Sequence, residues 1–212
     1  MTAAGIELEE RDGIGYLTLD RPPRNEMDSR LFAELRRVIA DELPRLTLSG
    51  LIVRGRGRHF SSGADVPEIL AQLDSETDAQ ARAGLQGNID AIEALARLPY
   101  PVVAAIAGCC FGSAFELALG CHYRIAAPNA LLALLESQHG LMPGCGGTAR
   151  LGPLVGHGRA LGLILTGRTL DAREALGLGA VERVVDKAEL VPTAQAFVRA
   201  AAERRAVLGP AV

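Results

Sequence analysis

Pro101-Val102-Val103-Ala104-Ala105-Ile106-Ala107-Gly108 decides how the chain is read. The run is apolar and does not alternate. A strand of this kind is buried on both faces, which places it in a parallel sheet with helices on either side. It is also far too short to cross a bilayer. It is followed by Cys109-Cys110-Phe111-Gly112-Ser113-Ala114-Phe115-Glu116-Leu117-Ala118-Leu119-Gly120, a turn leading into a short helix.

The same alternation of strand and helix extends outward in both directions. Upstream, Gly13 to Leu19 reads as a strand closed by Asp20-Arg21-Pro22-Pro23. Asp28 caps a helix running to about Leu43, where Pro44 stops it. Leu51 to Arg54 is a second buried strand, closed by Gly55-Arg56-Gly57, and Glu68 to Leu98 holds one or two helices. Downstream, Tyr123 to Ala126 and Ala130 to Leu135 are further strands, and the glycine-rich loop Gly140 to Gly147 opens a helix near Thr148. Asp171 with Glu174, and Asp186 with Glu189, have capping-box spacing. The order is that of an α/β fold with mostly parallel strands.

Composition narrows the function. Of 212 residues, 49% are apolar and 22% charged, which excludes a disordered chain, a collagen and a coiled-coil rod. The net charge of −3 supplies no basic field for nucleic acid or an anionic membrane. Lys187 is the only lysine among the basic residues. The four cysteines form no C-x-x-C pair and Met1 to Arg11 lacks the apolar core of a signal peptide, so reduced thiols and a cytoplasmic location are expected.

Familiar catalytic motifs are absent: no complete phosphate-binding loop, no G-x-S-x-G, no H-E-x-x-H. His59, His122, His139 and His157 lack ligand spacing, so no metal is expected. Gly144-Cys145-Gly146-Gly147 lacks the third glycine of a dinucleotide fingerprint. Three features remain. Gly63-Ala64-Asp65 follows a strand and a turn and can leave backbone N–H groups unpaired. Gly112-Ser113-Ala114 opens a helix, whose first N–H groups are orphans at the positive end of the dipole. Glu116 lies one turn into that helix, and Glu136 stands at the end of a strand in the same apolar region. Each also has a structural reading: Ser113-x-x-Glu116 is a capping box, Glu136 a solvated strand end, and the glycines turn residues.

The motifs together resemble the crotonase (enoyl-CoA hydratase/isomerase) superfamily, from about Gly13 to Glu203. Phe60-Ser61-Ser62-Gly63-Ala64-Asp65 is similar to the family's F-[SA]-x-G-A-D loop. Pro101 to Gly108 followed by Phe111 to Ala118 is similar to its P-V-I-A-A-V-x-G and G-G-G-x-E-L-A segments. Glu136 with Gly140 to Thr148 is similar to P-E-x-x-x-G-x-x-P-G-x-G-G-T. The resemblance implies one crotonase-like domain over 1–212: a spiral of β-β-α units with flanking helices over about 13–185 and a helical segment over about 186–205. Family hydratases continue past the equivalent of Val212, so the C-terminal helical region is expected to be shortened. The implied ligand is an acyl-CoA thioester, with no separate cofactor, in a homotrimer or hexamer weakened by the short end.

In the implied mechanism the N–H groups of Ala64 and Ser113 hold the thioester oxygen, and Glu116 and Glu136 hold a water for hydration. Arg24, Asn25, Ser62, Gly63, Asp65, Gly112 and Gly144 are expected to line the coenzyme A and acyl site. Ser113 and Ala114 replace family glycines, so a tighter pocket is expected, and His122 replaces a common aspartate. Other enolate chemistry on the same scaffold (isomerisation, decarboxylation, thioester hydrolysis), a non-catalytic partner of a biosynthetic enzyme, and a nucleophilic Ser113 are the alternatives.

Overall fold

The computed structural model describes residues 5–208, apart from the side chains of residues 73 and 205–208. The ends of the domain expected over 1–212 lie outside the described residues. Two strands open the fold, β1 (Ile6–Arg11) and β2 (Ile14–Leu19), followed by helix α1 (Ser29–Arg37), strand β3 (Gly50–Gly55), and helices α2 (Val66–Ser75) and α3 (Asp78–Ala96). Strand β4 (Val102–Ile106), short strand β5 (Cys109–Phe111), helix α4 (Ser113–Gly120), and strands β6 (Tyr123–Ala126) and β7 (Leu131–Ala133) form the middle. Helices α5 (Gly147–Val155) and α6 (His157–Thr166), strand β8 (Leu170–Asp171), helix α7 (Ala172–Leu178), strand β9 (Arg183–Val184) and helix α8 (Leu190–Leu208) complete it.

The main sheet has the order β1-β2-β3-β4-β6-β9, parallel except for β1. β4 sits inside it with all five residues buried, as its unalternating sequence predicts. A smaller sheet, β5-β7-β8, stands beside it. Alternation along the strands divides the interior into two cores. Leu17, Leu19, Leu51, Val53, Val102 and Ala104 face α1, α3 and α4; Tyr16, Ile52, Val103 and Ile125 face α8. Leu190, Ala194 and Val198, spaced four apart, give α8 its apolar stripe. No helix among the described residues is long and apolar enough to cross a membrane.

Several expectations are corrected. β1 was not expected: its Ile-Glu-Leu-Glu-Glu-Arg sequence is mostly charged, and only antiparallel pairing with β2 makes it a strand. The strand expected over Ala130 to Leu135 is limited to Leu131–Ala133. Glu136 opens a 3-10 turn, Glu136–His139, that ends on Gly140 in the left-handed region. Asp28 caps α1 as expected, accepting from the Leu31 N–H at 2.8 Å, and Asp171 accepts from Glu174 N–H at 2.7 Å. Asp186 makes no such side-chain cap; a backbone bond from Glu189 N–H to its carbonyl closes that turn instead.

Asn25 fastens the loop after β2 to the loop after β3. It is fully buried in the left-handed region at φ 53°. Its Nδ2 donates to the carbonyls of Arg56, His59 and Phe60 at 3.0, 3.0 and 3.2 Å, and its Oδ1 accepts from Arg21 N–H at 2.9 Å. Asn25→Ala removes the donors and keeps the backbone strain, so unfolding in urea is expected to show a loss of about 2–4 kcal/mol. Asn25→Gly relieves the strain alone and should lose less.

Candidate active site

The loop Phe60 to Asp65 is laid against β5 by backbone hydrogen bonds: Ser61 N–H to Cys109 carbonyl at 3.0 Å, and Phe111 N–H to Ser61 carbonyl at 3.2 Å. Gly63 (φ 90°) approaches so closely that a Cβ there would overlap the Phe111 carbonyl oxygen. The segments ending in Ala64 and beginning at Ser113 are therefore neighbours. Ser62 N–H is spent on the Arg24 carbonyl at 2.9 Å, and Gly63 N–H on Ser61 Oγ at 3.0 Å. The N–H groups of Ala64 and Ser113 have no acceptor in this loop network among the described residues. Asp65 caps α2, accepting from Glu68 N–H at 3.1 Å.

Gly112 turns the chain from β5 into α4 at φ 51° and ψ −125°, a conformation open to glycine alone in practice. All eight residues of α4 are buried. Glu116 does not close a capping box on Ser113. Its Oε1 accepts instead from Cys145 N–H at 2.7 Å and Gly147 N–H at 2.8 Å, at the start of α5. These donors and the positive end of α5 favour the carboxylate. Burial, and then the nearby Glu136 charge, oppose it, and the balance pushes Glu116 up to about 7.

Glu136 is the second acid of the cluster. Its carboxylate lies against Gly112, where a Cβ would stand 3.2 Å from Oε1. Its Oε2 is buried with no hydrogen-bond partner among the described residues. Burial raises its pKa as well, opposed by its own backbone N–H and by His139. The Cys145 thiol is pushed up to about 12 by burial, Glu116 and Glu136. A buried and a half-buried carboxyl, both with raised pKa, one held and one with a free oxygen, can between them keep one proton and one base near neutral pH.

The remaining expected residues have these surroundings. Asn25 spends its side chain inside the loop clamp, so it is not free to touch a ligand as expected. Arg24 is exposed and pairs with Glu26 at 2.5 Å. Gly144 lies beside Leu85, and the donors to Glu116 are the neighbouring Cys145 and Gly147 N–H groups. Ser113 Oγ turns to Met27 Sδ at 3.7 Å; among the described residues no histidine bonds it, as a nucleophilic serine would need. His122 bridges strand and helix, with Nδ1 accepting from Val102 N–H at 2.9 Å and Nε2 at 3.0 Å from the Ala96 carbonyl. Met27 and the Cys145 and Gly147 N–H donors to Glu116 are not foreseen from the sequence, because backbone donors and an apolar neighbour leave no mark in a motif.

Comparison with known proteins gives a consistent picture. The sequence profile described as Enoyl-CoA hydratase/isomerase matches residues 9–208. A Bacillus subtilis (strain 168) protein named "Probable enoyl-CoA hydratase" is 36% identical over 200 residues, 94% of this chain and 76% of that one. The crystal structure of enoyl-CoA hydratase from Bacillus anthracis superposes with TM-score 0.82 at 34% identity, covering 97% of this chain and 78% of that one. A Thermobifida fusca YX structure in complex with acetoacetyl-CoA gives TM-score 0.84 at 34% identity, over 97% and 86%.

The Glu116 shift has a consequence for stability. A folded-state pKa above the ordinary 4.5 means that the folded protein binds this proton more tightly than the unfolded chain. The resulting stability is full below about 4.5 and is lost as pH rises through about 7. Glu116→Gln suffers no such loss. Urea unfolding at pH 5 and pH 8 should show the variant gaining on wild type at the higher pH, by at most on the order of 3 kcal/mol.

Proposed function

The chain belongs to the enoyl-CoA hydratase/isomerase family, and from that premise we propose that it adds water across the 2,3 double bond of an enoyl-CoA thioester. The observation that carries this reading is the pair of carboxyls: Glu116 buried and fixed by two N–H groups, and Glu136 half-buried with one buried oxygen that has no partner among the described residues. Moving a double bond by isomerisation needs one acid to carry a proton between carbons. Hydration needs a base for the water and an acid for the α-carbon, and two acids in one cluster favour it.

In the proposed cycle the thioester oxygen sits between the N–H groups of Ala64 and Ser113. They stabilise the negative charge that grows there as the β-carbon is attacked. Glu116, held rigid, takes a proton from the attacking water, and Glu136 gives a proton to the α-carbon. Atoms balance: water supplies hydroxyl to the β-carbon, and the proton it loses replaces the one delivered. The one proton of the pair belongs to both carboxyls and passes between them through the water. Ser62, Gly63, Asp65 and Gly112 shape the backbone of this site, and Arg24 is the exposed cation suited to a coenzyme A phosphate.

The test is the loss of conjugated enoyl-thioester absorbance with crotonyl-CoA. Wild type should consume it, and Glu136→Gln should slow turnover on the order of a thousand-fold while leaving thioester affinity unchanged. Affinity lost together with turnover would make Glu136 a structural residue. The wild-type rate should also fall on the alkaline side of about 7, as the pair loses its shared proton. A rate flat from pH 6 to 9 would contradict the shared-proton scheme.

A further inference from the structure

The face of the main sheet turned away from the two glutamates ends in a cavity of about 270 Å³. Strand alternation decides what reaches it: Thr18 follows Tyr16, Arg54 follows Ile52 and Ala105 follows Val103 on the side packed by α8. Thr18 is paired with Arg54, and Arg54 with Ala105, across the sheet. The last row on this side is thus a hydroxyl, a guanidinium and a methyl group at the carboxyl ends of parallel strands. Open α/β sheets commonly receive ligands at that end. Leu190 and Val191 at the start of α8 form one wall, and Lys187, the chain's only lysine, stands in the turn before them.

Both cations are held in place by neutral partners. Arg54 Nε donates to Thr18 Oγ1 at 3.0 Å, and its guanidinium lies 5.3 Å from the centroid of the Tyr16 ring. Lys187 Nζ donates to the Gly57 carbonyl at 3.1 Å. Among the described residues neither makes an ion pair. Among the described residues no carboxylate lines the cavity, and a further cation there, Arg56, is already paired with Glu7 and Asp20. The His59 imidazole is held below its ordinary value by burial first and then by Arg58, Lys187 and Arg24, which marks this corner as electropositive. A partly buried arginine set against a hydroxyl and a ring, with no ion pair among the described residues, lacks the anion its charge calls for.

We propose that the cavity binds a small phosphomonoester. Its phosphate is gripped by the terminal amino groups of Arg54 and by Lys187, and its carbon skeleton lies over Ala105 and Ala107. Two separate cations suit a dianion better than a single carboxylate, and the planar guanidinium suits two phosphate oxygens at once. The volume falls just under the roughly 300–1,000 Å³ of pockets for drug-sized ligands, which suits a small ligand.

Calorimetry on the full chain with glycerol 3-phosphate tests this. Saturable one-site binding is expected, weakened on the order of ten-fold in Arg54→Gln and in Lys187→Gln and unchanged in Arg24→Gln. Lys187 is exposed, so its variant keeps the test informative if Arg54→Gln fails to fold. Absence of saturable heat into the tens of millimolar would overturn the proposal. So would binding lost in Arg24→Gln but kept in the other two, which would place the anion on the other loop. Equal affinity for inorganic phosphate would overturn the monoester and leave a bare anion hole.

Discussion

The two hydrogen bonds from Cys145 and Gly147 to Glu116 are the constraint on which the site depends. They bring a carboxylate into the most apolar helix of the chain and supply donors that replace part of its lost water. They also tie α4 to the start of α5, fixing the spacing between two segments that the sequence separates by about thirty residues. Gly147 leaves room for this approach: a Cβ there would stand 3.1 Å from Glu116 Oε1, tight enough that the carboxylate would have to give by a few tenths of an ångström. Burial drives the acid toward its neutral form while the N–H groups draw it toward the ion, and an acid poised near 7 is the outcome.

The architecture was largely legible in the sequence, for local reasons. The unalternating run at Val102 to Ile106 could only be a central parallel strand, and Asp28 and Asp171 marked helix starts by ordinary capping chemistry. What escaped reading depended on partners distant in the chain. β1 is a strand through its pairing with β2, not through its own composition. Asn25 looked available to a ligand beside Arg24, yet the carbonyls that claim its amide lie more than thirty residues away. Glu116 fitted a capping box on spacing alone, and only the fold shows that stronger donors lie across the pocket.

The main sheet separates two chemistries. Its α1, α3 and α4 face carries the acids, and its α8 face ends at Arg54 and Lys187, which make no ion pair among the described residues. A strand reverses side-chain direction at each residue, so neighbours such as Val53 and Arg54 serve opposite faces without interfering. One sheet can thus keep a pair of neighbouring acids and a cationic pocket apart, with an apolar layer between them.

The Asn25 clamp also carries a consequence for chain entropy. Its three carbonyl partners lie 31, 34 and 35 residues downstream, so each bond closes nearly the same loop. The first bond to form bears almost the whole cost of closure, and the others add contacts at little further loss of freedom. Such a set makes and breaks as a unit. The segment after β2 and the one running to Ala64 therefore order and melt together, and order gained at either loop is transmitted to the other.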